Sequence, residues 1–219
     1  MTASVLELLL ADARTPSGGY AHSGGLEAAL ATGMDPEAIP AFMEARAHTT
    51  VVCEAAIAAA AAGADGLLEL LALDDEFAAR TPAPPLRAAS RSLGLGLLRT
   101  AAQLWAGDQL LREYRQRSEH TPRPVCVGVT ARAAGLGSQQ AAQLVLYEDA
   151  AAIASAAVKL CALDPARATA WVAQLAPGLA HLAASAEEAR HGALPSTSTP
   201  LLDLRALAHQ QDDRRLFAS

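Results

Sequence analysis

The sequence predicts an all-α protein, a single-domain helical bundle of about 8–10 helices with helical hairpins around an Ala/Leu-rich core. Composition is the first reason: 52% of the 219 residues are apolar but only 4% are aromatic, and alanine supplies much of the apolar content. That mixture suits closely packed helices better than a sheet sandwich. The second reason is punctuation, because acceptor caps and prolines recur at helix-length intervals, at Asp35-Pro36, Pro84-Pro85, Pro122 to Pro124 and Asp164-Pro165. The third is the lack of strand partners. Only Val125 to Val129 is rich in β-branched residues, and nothing convincing pairs with it.

Taken in order, Val5 to Ala11 reads as a short helix or extended turn, with Leu6, Leu9 and Leu10 on one side. A glycine-rich loop, 14–25, follows. Four glycines and Pro16 within ten residues forbid a helix there, since glycine costs a helix about 1 kcal/mol and proline about 3. Leu26 to Thr32 reads as helix, ended by Gly33. Asp35-Pro36-Glu37 opens a long helix that runs to Ala62, with a second start or a kink at Pro40. Asp65 to Leu73 is helical, and Asp74-Asp75-Glu76 reads as a cap for a short turn after it. Beyond the connector Thr81 to Pro85, one long helix is expected from Leu86 to the basic end at Arg117. Val125 to Gly135 reads as a buried helix. Ser138 caps Gln139 to Leu163, and Asp164-Pro165 opens a helix to His191, kinked at Pro177-Gly178. Residues 192–200 form a polar linker. The remainder, 201–219, is a short amphipathic tail with little apparent domain to pack on, a candidate for folding on a partner.

Charge and motif exclude several functions. The net charge of −6, without a basic block, leaves no nucleic-acid footprint. Val51 to Gly63, the most apolar window, is interrupted by Glu54 and is too short to span a bilayer, so no membrane role is expected. Cys53, Cys126 and Cys161 are far apart and odd in number, which fits thiols in a reducing compartment. No signal peptide is evident, and the expected location is cytoplasmic. The glycine loop lacks Gly-Lys-Ser/Thr, and no G-x-S-x-G elbow occurs. His22 and Ser23 are adjacent, but a nucleophile needs a base and an orienting acid elsewhere in the fold. The six histidines make no zinc-type pair. No catalytic and no metal-ligating residue is therefore assigned. Lys159, the only lysine, reads as a snorkelling side chain at a helix end or as an exposed interaction charge.

The loop motif resembles the urease accessory protein UreF family, whose N-terminal signature reads like L-P-x-G-x-F/Y-x-x-S-x-G-L-E. Pro16, Gly18, Tyr20, Ser23, Gly25, Leu26 and Glu27 match it, beside Gly19 and His22. The likeness continues through Arg91 to Gly94, Pro124-Val125 with Gly128, Leu146-Tyr147 and Ser155 to Leu160. It ends on Leu202 to Leu204, His209 and Arg215 to Ser219. Thr15, Ala152, Asp164-Pro165, Gln210 and Asp213 depart from the pattern. The resemblance implies an all-helical, UreF-like domain over 1–191, the linker 192–200 and a partner-binding tail over 201–219.

It also implies a scaffold and not an enzyme. Such a homodimer bridges a UreD/UreH-type accessory protein and the GTPase UreG, so that nickel is inserted into apo-urease, and it influences GTP hydrolysis. No cofactor is expected to be bound stably; nickel is handled by the assembled complex. The residues that the likeness assigns to partner binding are Pro16, Gly18, Gly19, Tyr20, His22, Ser23, Gly25 and Glu27 in the N-terminal motif. Lys159 stands in the Ala/Val/Leu-rich helix from Gln139, and His209, Arg215, Leu216 and Phe217 stand in the tail. The alternative from another class is a helical protein that binds nickel or a small ligand by itself.

Overall fold

The structure, a computed structural model, describes residues 2–16, 22–209 and 216–217. Among them are eleven α-helical segments and no β-strand. They are α1 Thr2–Ala11, α2 Leu26–Ala31, α3 Ile39–Arg46, α4 Val52–Ala62, α5 Leu67–Arg80, α6 Pro84–Leu104, α7 Gln109–Arg117, α8 Arg123–Ala133, α9 Ser138–Leu160, α10 Pro165–Ala189 and α11 Pro200–His209. The all-α expectation therefore holds. Asp35 accepts from the Glu37 amide (2.9 Å) to start a 3-10 turn that leads into α3. A π turn over Ala47–Val51 then joins α3 to α4 in one continuous rod.

α4, α8 and α9 form the centre, and α10 covers α4 and α9. Alanine lets them approach closely: Ala55, Ala56, Ala58, Ala59 and Ala61 of α4 are wholly buried. Val125 to Val129, ambiguous in sequence, lies inside α8. A helix buried all round has no polar face to show in its periodicity, and Pro124 to Ala131 are all buried. Gly128 sits where α8 meets the backbone of α4, next to Ala58 and Ala62. α9 is long and apolar enough to cross a membrane by composition, but 56% of its apolar window is buried inside the protein. It is the core helix of the bundle.

Three local readings are corrected. Asp74 does not cap a turn: α5 runs on to Arg80, and the Asp74 carboxylate is buried. It accepts from the Tyr114 hydroxyl (2.7 Å) and the Ser118 hydroxyl (2.6 Å), tying α5 to α7. Burial pushes its pKa above the usual carboxylate range. The helix expected from Leu86 to Arg117 is broken at Trp105 to Asp108, where Asp108 caps α7 by accepting from the Leu111 amide (2.8 Å). α9 begins at Ser138 and ends at Leu160, with Ala162 at φ 49° closing off any continuation toward Leu163.

The linker is pinned to the body. Arg80 donates to the carbonyls of Leu194 (3.2 Å) and Pro195 (2.8 Å), and the Thr197 hydroxyl donates to the Thr49 carbonyl (2.7 Å). Beyond it, α11 lays Leu202, Ala206 and His209 against α2 and α6. The tail finds more to pack on than its sequence suggests, because the glycine motif and α6 leave a shelf for one apolar face.

Candidate functional site: the junction of the chain ends

Gly24 and Gly25 make the approach to α2 possible. Both have positive φ, 59° and 81°. A Cβ at Gly24 would lie 2.8 Å from Ile153, and one at Gly25 would lie 2.6 Å from Leu202. Two left-handed residues thus drop the chain onto α9 and α11 and start α2 at Leu26. Ser23 is buried, and its hydroxyl accepts from the Glu27 amide (3.4 Å). This fixes Glu27 in the first turn, with its carboxylate toward the tail.

Glu27 then acts as a latch. One oxygen accepts from the Leu216 amide (2.7 Å) and the other from the Phe217 amide (2.9 Å). The second oxygen also lies 3.2 Å from His209 Nε2 at the end of α11. Phe217 is buried, 6% exposed, and the Lys159 ammonium stands 5.3 Å from its ring centroid. Such a cation–π contact contributes about 0.5–1 kcal/mol near solvent. Leu216 points away from this anchor and is 74% exposed. Five residues singled out from sequence (Glu27, Lys159, His209, Leu216 and Phe217) meet here, braced by Ser23 and Gly25. Pro16 stands apart, its carbonyl accepting from Thr100 (3.2 Å), and His22 lines an adjoining cavity that shares Gly24, Gly25 and Leu202 with the junction. Gly18, Gly19, Tyr20 and Arg215 lie outside the described residues, as do Gln210 and Asp213.

That cavity, of about 180 Å³, lies below the linker and was missed by motif reading. Arg46 pairs with Asp149 (2.5 Å), and Arg123 pairs with Glu148 (2.7 Å). Glu54 projects between them from α4. Burial, with Asp149 adding to it, pushes the Glu54 carboxyl up to about 7, against the pull of Arg46 and Arg123. The visible signal was a lone acid in an alanine run and the pair Glu148-Asp149 in an apolar helix. No spacing rule linked the two.

The folded state holds the Glu54 proton more tightly than the unfolded chain, so between pH 4.5 and about 7 folding binds a proton. Stability is then fully present below the unfolded value and is lost as pH rises through the folded one. Glu54→Gln is expected to flatten this pH dependence by about 3 kcal/mol across that window. Urea unfolding at several pH values measures it, and an unchanged slope would refute the assignment. Among the described residues, no three His, Cys, Asp or Glu side chains converge as a metal-ligand set.

An all-helical bundle whose glycine motif latches its own C-terminal peptide, without a catalytic constellation among the described residues, has the character of a protein-interaction module. The UreF family model matches residues 34–176. Over the whole length of both chains, 39% of residues are identical to urease accessory protein UreF of Mycobacterium sp. (strain JLS). The identity is 38%, again over both full chains, to the urease accessory protein UreF of Mycobacterium tuberculosis (strain ATCC 25618 / H37Rv). It is 37% over 97% of each chain to that of Mycolicibacterium vanbaalenii. The chain belongs to the UreF family of urease accessory proteins, which act in urease maturation.

Proposed function

We propose that this chain is a non-catalytic scaffold that joins a UreD/UreH-type accessory protein to the GTPase UreG during nickel insertion into apo-urease. It acts as a cytoplasmic homodimer, binds no cofactor stably, and influences GTP hydrolysis through the complex it builds. The observation that carries this reading is the latch. Glu27 from the N-terminal motif and Lys159 from the core helix hold one apolar side chain of the tail, Phe217, while its neighbour Leu216 stays in solvent. The outer face of α11 adds Leu201, Leu204 and Leu207, which are 53%, 63% and 43% exposed. An apolar row on a pinned helix, next to an anchored peptide, suits a protein partner, because a contiguous exposed patch marks an interaction surface.

The chemistry is assembly. The latch presents the apolar row in one orientation, so less ordering entropy opposes partner binding. Nickel is cargo of the assembled complex. Co-purification of the full chain and of a chain ending at Pro200 with UreD- and UreG-type proteins, sized by light scattering, tests the reading. The full chain is expected to form the multi-subunit complex and the shortened chain to remain free. A complex of equal yield from both would refute it.

Lys159 separates folding from coupling. It is exposed, and its replacement costs no more than the ring contact. Lys159→Glu is expected to change the unfolding free energy by less than about 1 kcal/mol. The rate of GTP hydrolysis in the assembled complex is expected to change at least twofold. Unchanged hydrolysis would remove Lys159 from the coupling surface.

A further inference from the structure

The chain supplies positive charge almost entirely with arginine: of its 17 lysine and arginine residues, only Lys159 is a lysine. That lysine stands where arginine is the usual partner. Its ammonium lies 5.3 Å from the Phe217 ring centroid, and a planar guanidinium stacks on an aromatic face more often than an ammonium does. The other two such contacts among the described residues use arginine, Arg46 over Phe42 (5.9 Å) and Arg167 over Trp171 (5.6 Å). What lysine adds is chemistry. Once deprotonated, its amine is a nucleophile that accepts an acyl group, whereas a guanidinium stays protonated in a protein.

Position makes this amine reachable and gives its charge a consequence. Lys159 is the penultimate residue of α9 and is exposed, while the Cys53 and Cys126 thiols are buried. Among the described residues its ammonium pairs with no carboxylate, and the Phe217 ring is the contact that its charge makes. Phe217 is in turn the buried anchor of the tail. Its amide donates to Glu27 (2.9 Å), and its ring lies under the Lys159 ammonium. The charge on Lys159 therefore bears on whether the C-terminal peptide stays docked.

We propose that Lys159 is an acyl-acceptor site and that N-acylation there loosens the tail from the body of the protein. The inference rests on the latch described above. The donor is an activated acyl group, a thioester or an acyl phosphate. The Lys159 amine attacks the acyl carbon, and the N–C bond forms as the C–S or C–O bond breaks. The amine proton passes to a solvent base, and the thiolate or phosphate leaves. The product is a neutral amide, which the ring quadrupole no longer attracts. A contact of this size corresponds to about a two- to fivefold change in the ratio of docked to released tail. N-methylation keeps the charge, so it would leave the ring contact in place.

That contrast supplies the test, on the isolated full chain. One sample is treated with acetyl phosphate, any thioester is stripped from Cys161 with hydroxylamine, and the acetylated amines are located by peptide mass. A second sample is reductively dimethylated. Lys159→Arg is measured before and after the acetyl phosphate treatment. Hydrogen exchange at the Leu216 and Phe217 amides is expected to accelerate about two- to fivefold on acetylation. It is expected to stay at the untreated rate on dimethylation, which adds bulk to the same nitrogen, and to be unaltered by treatment of Lys159→Arg. The proposal is overturned if Lys159 gains no acetyl group or if the acetylated chain exchanges at the untreated rate. It is also overturned if dimethylation, or treatment of Lys159→Arg, accelerates exchange equally. An untreated chain whose Leu216 and Phe217 amides lack protection would refute the latch itself, and this proposal with it.

Discussion

Replacing Glu27 by Gln is expected to release the C-terminal peptide from the body of the protein. Both carboxylate oxygens receive amide protons from the tail, Leu216 on one and Phe217 on the other. The amide of glutamine keeps the shape but presents an NH2 group where one of these donors arrives. The amide oxygen keeps one hydrogen bond, and at the NH2 end donor meets donor and the other bond is lost. Hydrogen bonds to a charged acceptor contribute about 1.5–3 kcal/mol each, so a loss of about 2 kcal/mol is a conservative figure. It corresponds to roughly a 30-fold shift from docked to released tail. Hydrogen exchange at the Leu216 and Phe217 amides is the readout, and it should accelerate by at least tenfold. The core amides of α4, α8 and α9 should be unaffected, because Glu27 lies on a short helix at the edge of the bundle. Unchanged protection at Leu216 and Phe217 would mean that Phe217 burial alone holds the tail.

Gly128→Ala is expected to destabilise the fold by about 3 kcal/mol, in the direction opposite to helix propensity. In an open helix the change would stabilise by up to about 1 kcal/mol. At Gly128 the new Cβ would lie 2.9 Å from the Ala62 amide nitrogen and closer still to the Ala58 carbonyl oxygen and the Ala61 methyl. Two of these are backbone atoms and no rotamer relieves them, so α4 and α8 must separate at the centre of the core. Overpacking of this kind costs about 1–3 kcal/mol and sometimes more, a large part of a stability of roughly 5–15 kcal/mol. Gly178→Ala is the control. It lies inside α10 with nothing within 4 Å of the added methyl, and it should leave the urea midpoint equal or higher. If Gly128→Ala matched that control, the close crossing of α4 and α8 would be wrong.

The helix ends were legible because they are chemical. Asp35 and Asp164 read as caps in sequence, and each accepts from the amide two residues on. Gly33 and Gly135 read as stops and have φ of 93° and 75°. Interior roles were less legible. Asp74 carries the same side chain as a cap, and only the distant Tyr114 and Ser118 make it a core anchor. The π turn leaves no compositional mark.

At the junction of the ends, the family motif pointed to Glu27, Lys159, His209 and Phe217 separately. Their meeting depends on the left-handed turn at Gly24-Gly25 and on α11 crossing α2, which a linear pattern does not encode. The cavity was less visible still. Its walls come from the glycine motif, α3, α4, α5, α6, α8, α9, the linker and α11, so its residues have no common period.

The most direct measurement is the affinity of a UreD/UreH-type protein for the full chain and for its Glu27→Gln variant, followed by calorimetry at equal concentrations. Binding at least tenfold weaker in the variant, with the native circular dichroism spectrum kept, is the result expected if the latched tail forms the docking surface. Equal affinity for both would contradict it and place the partner on another face.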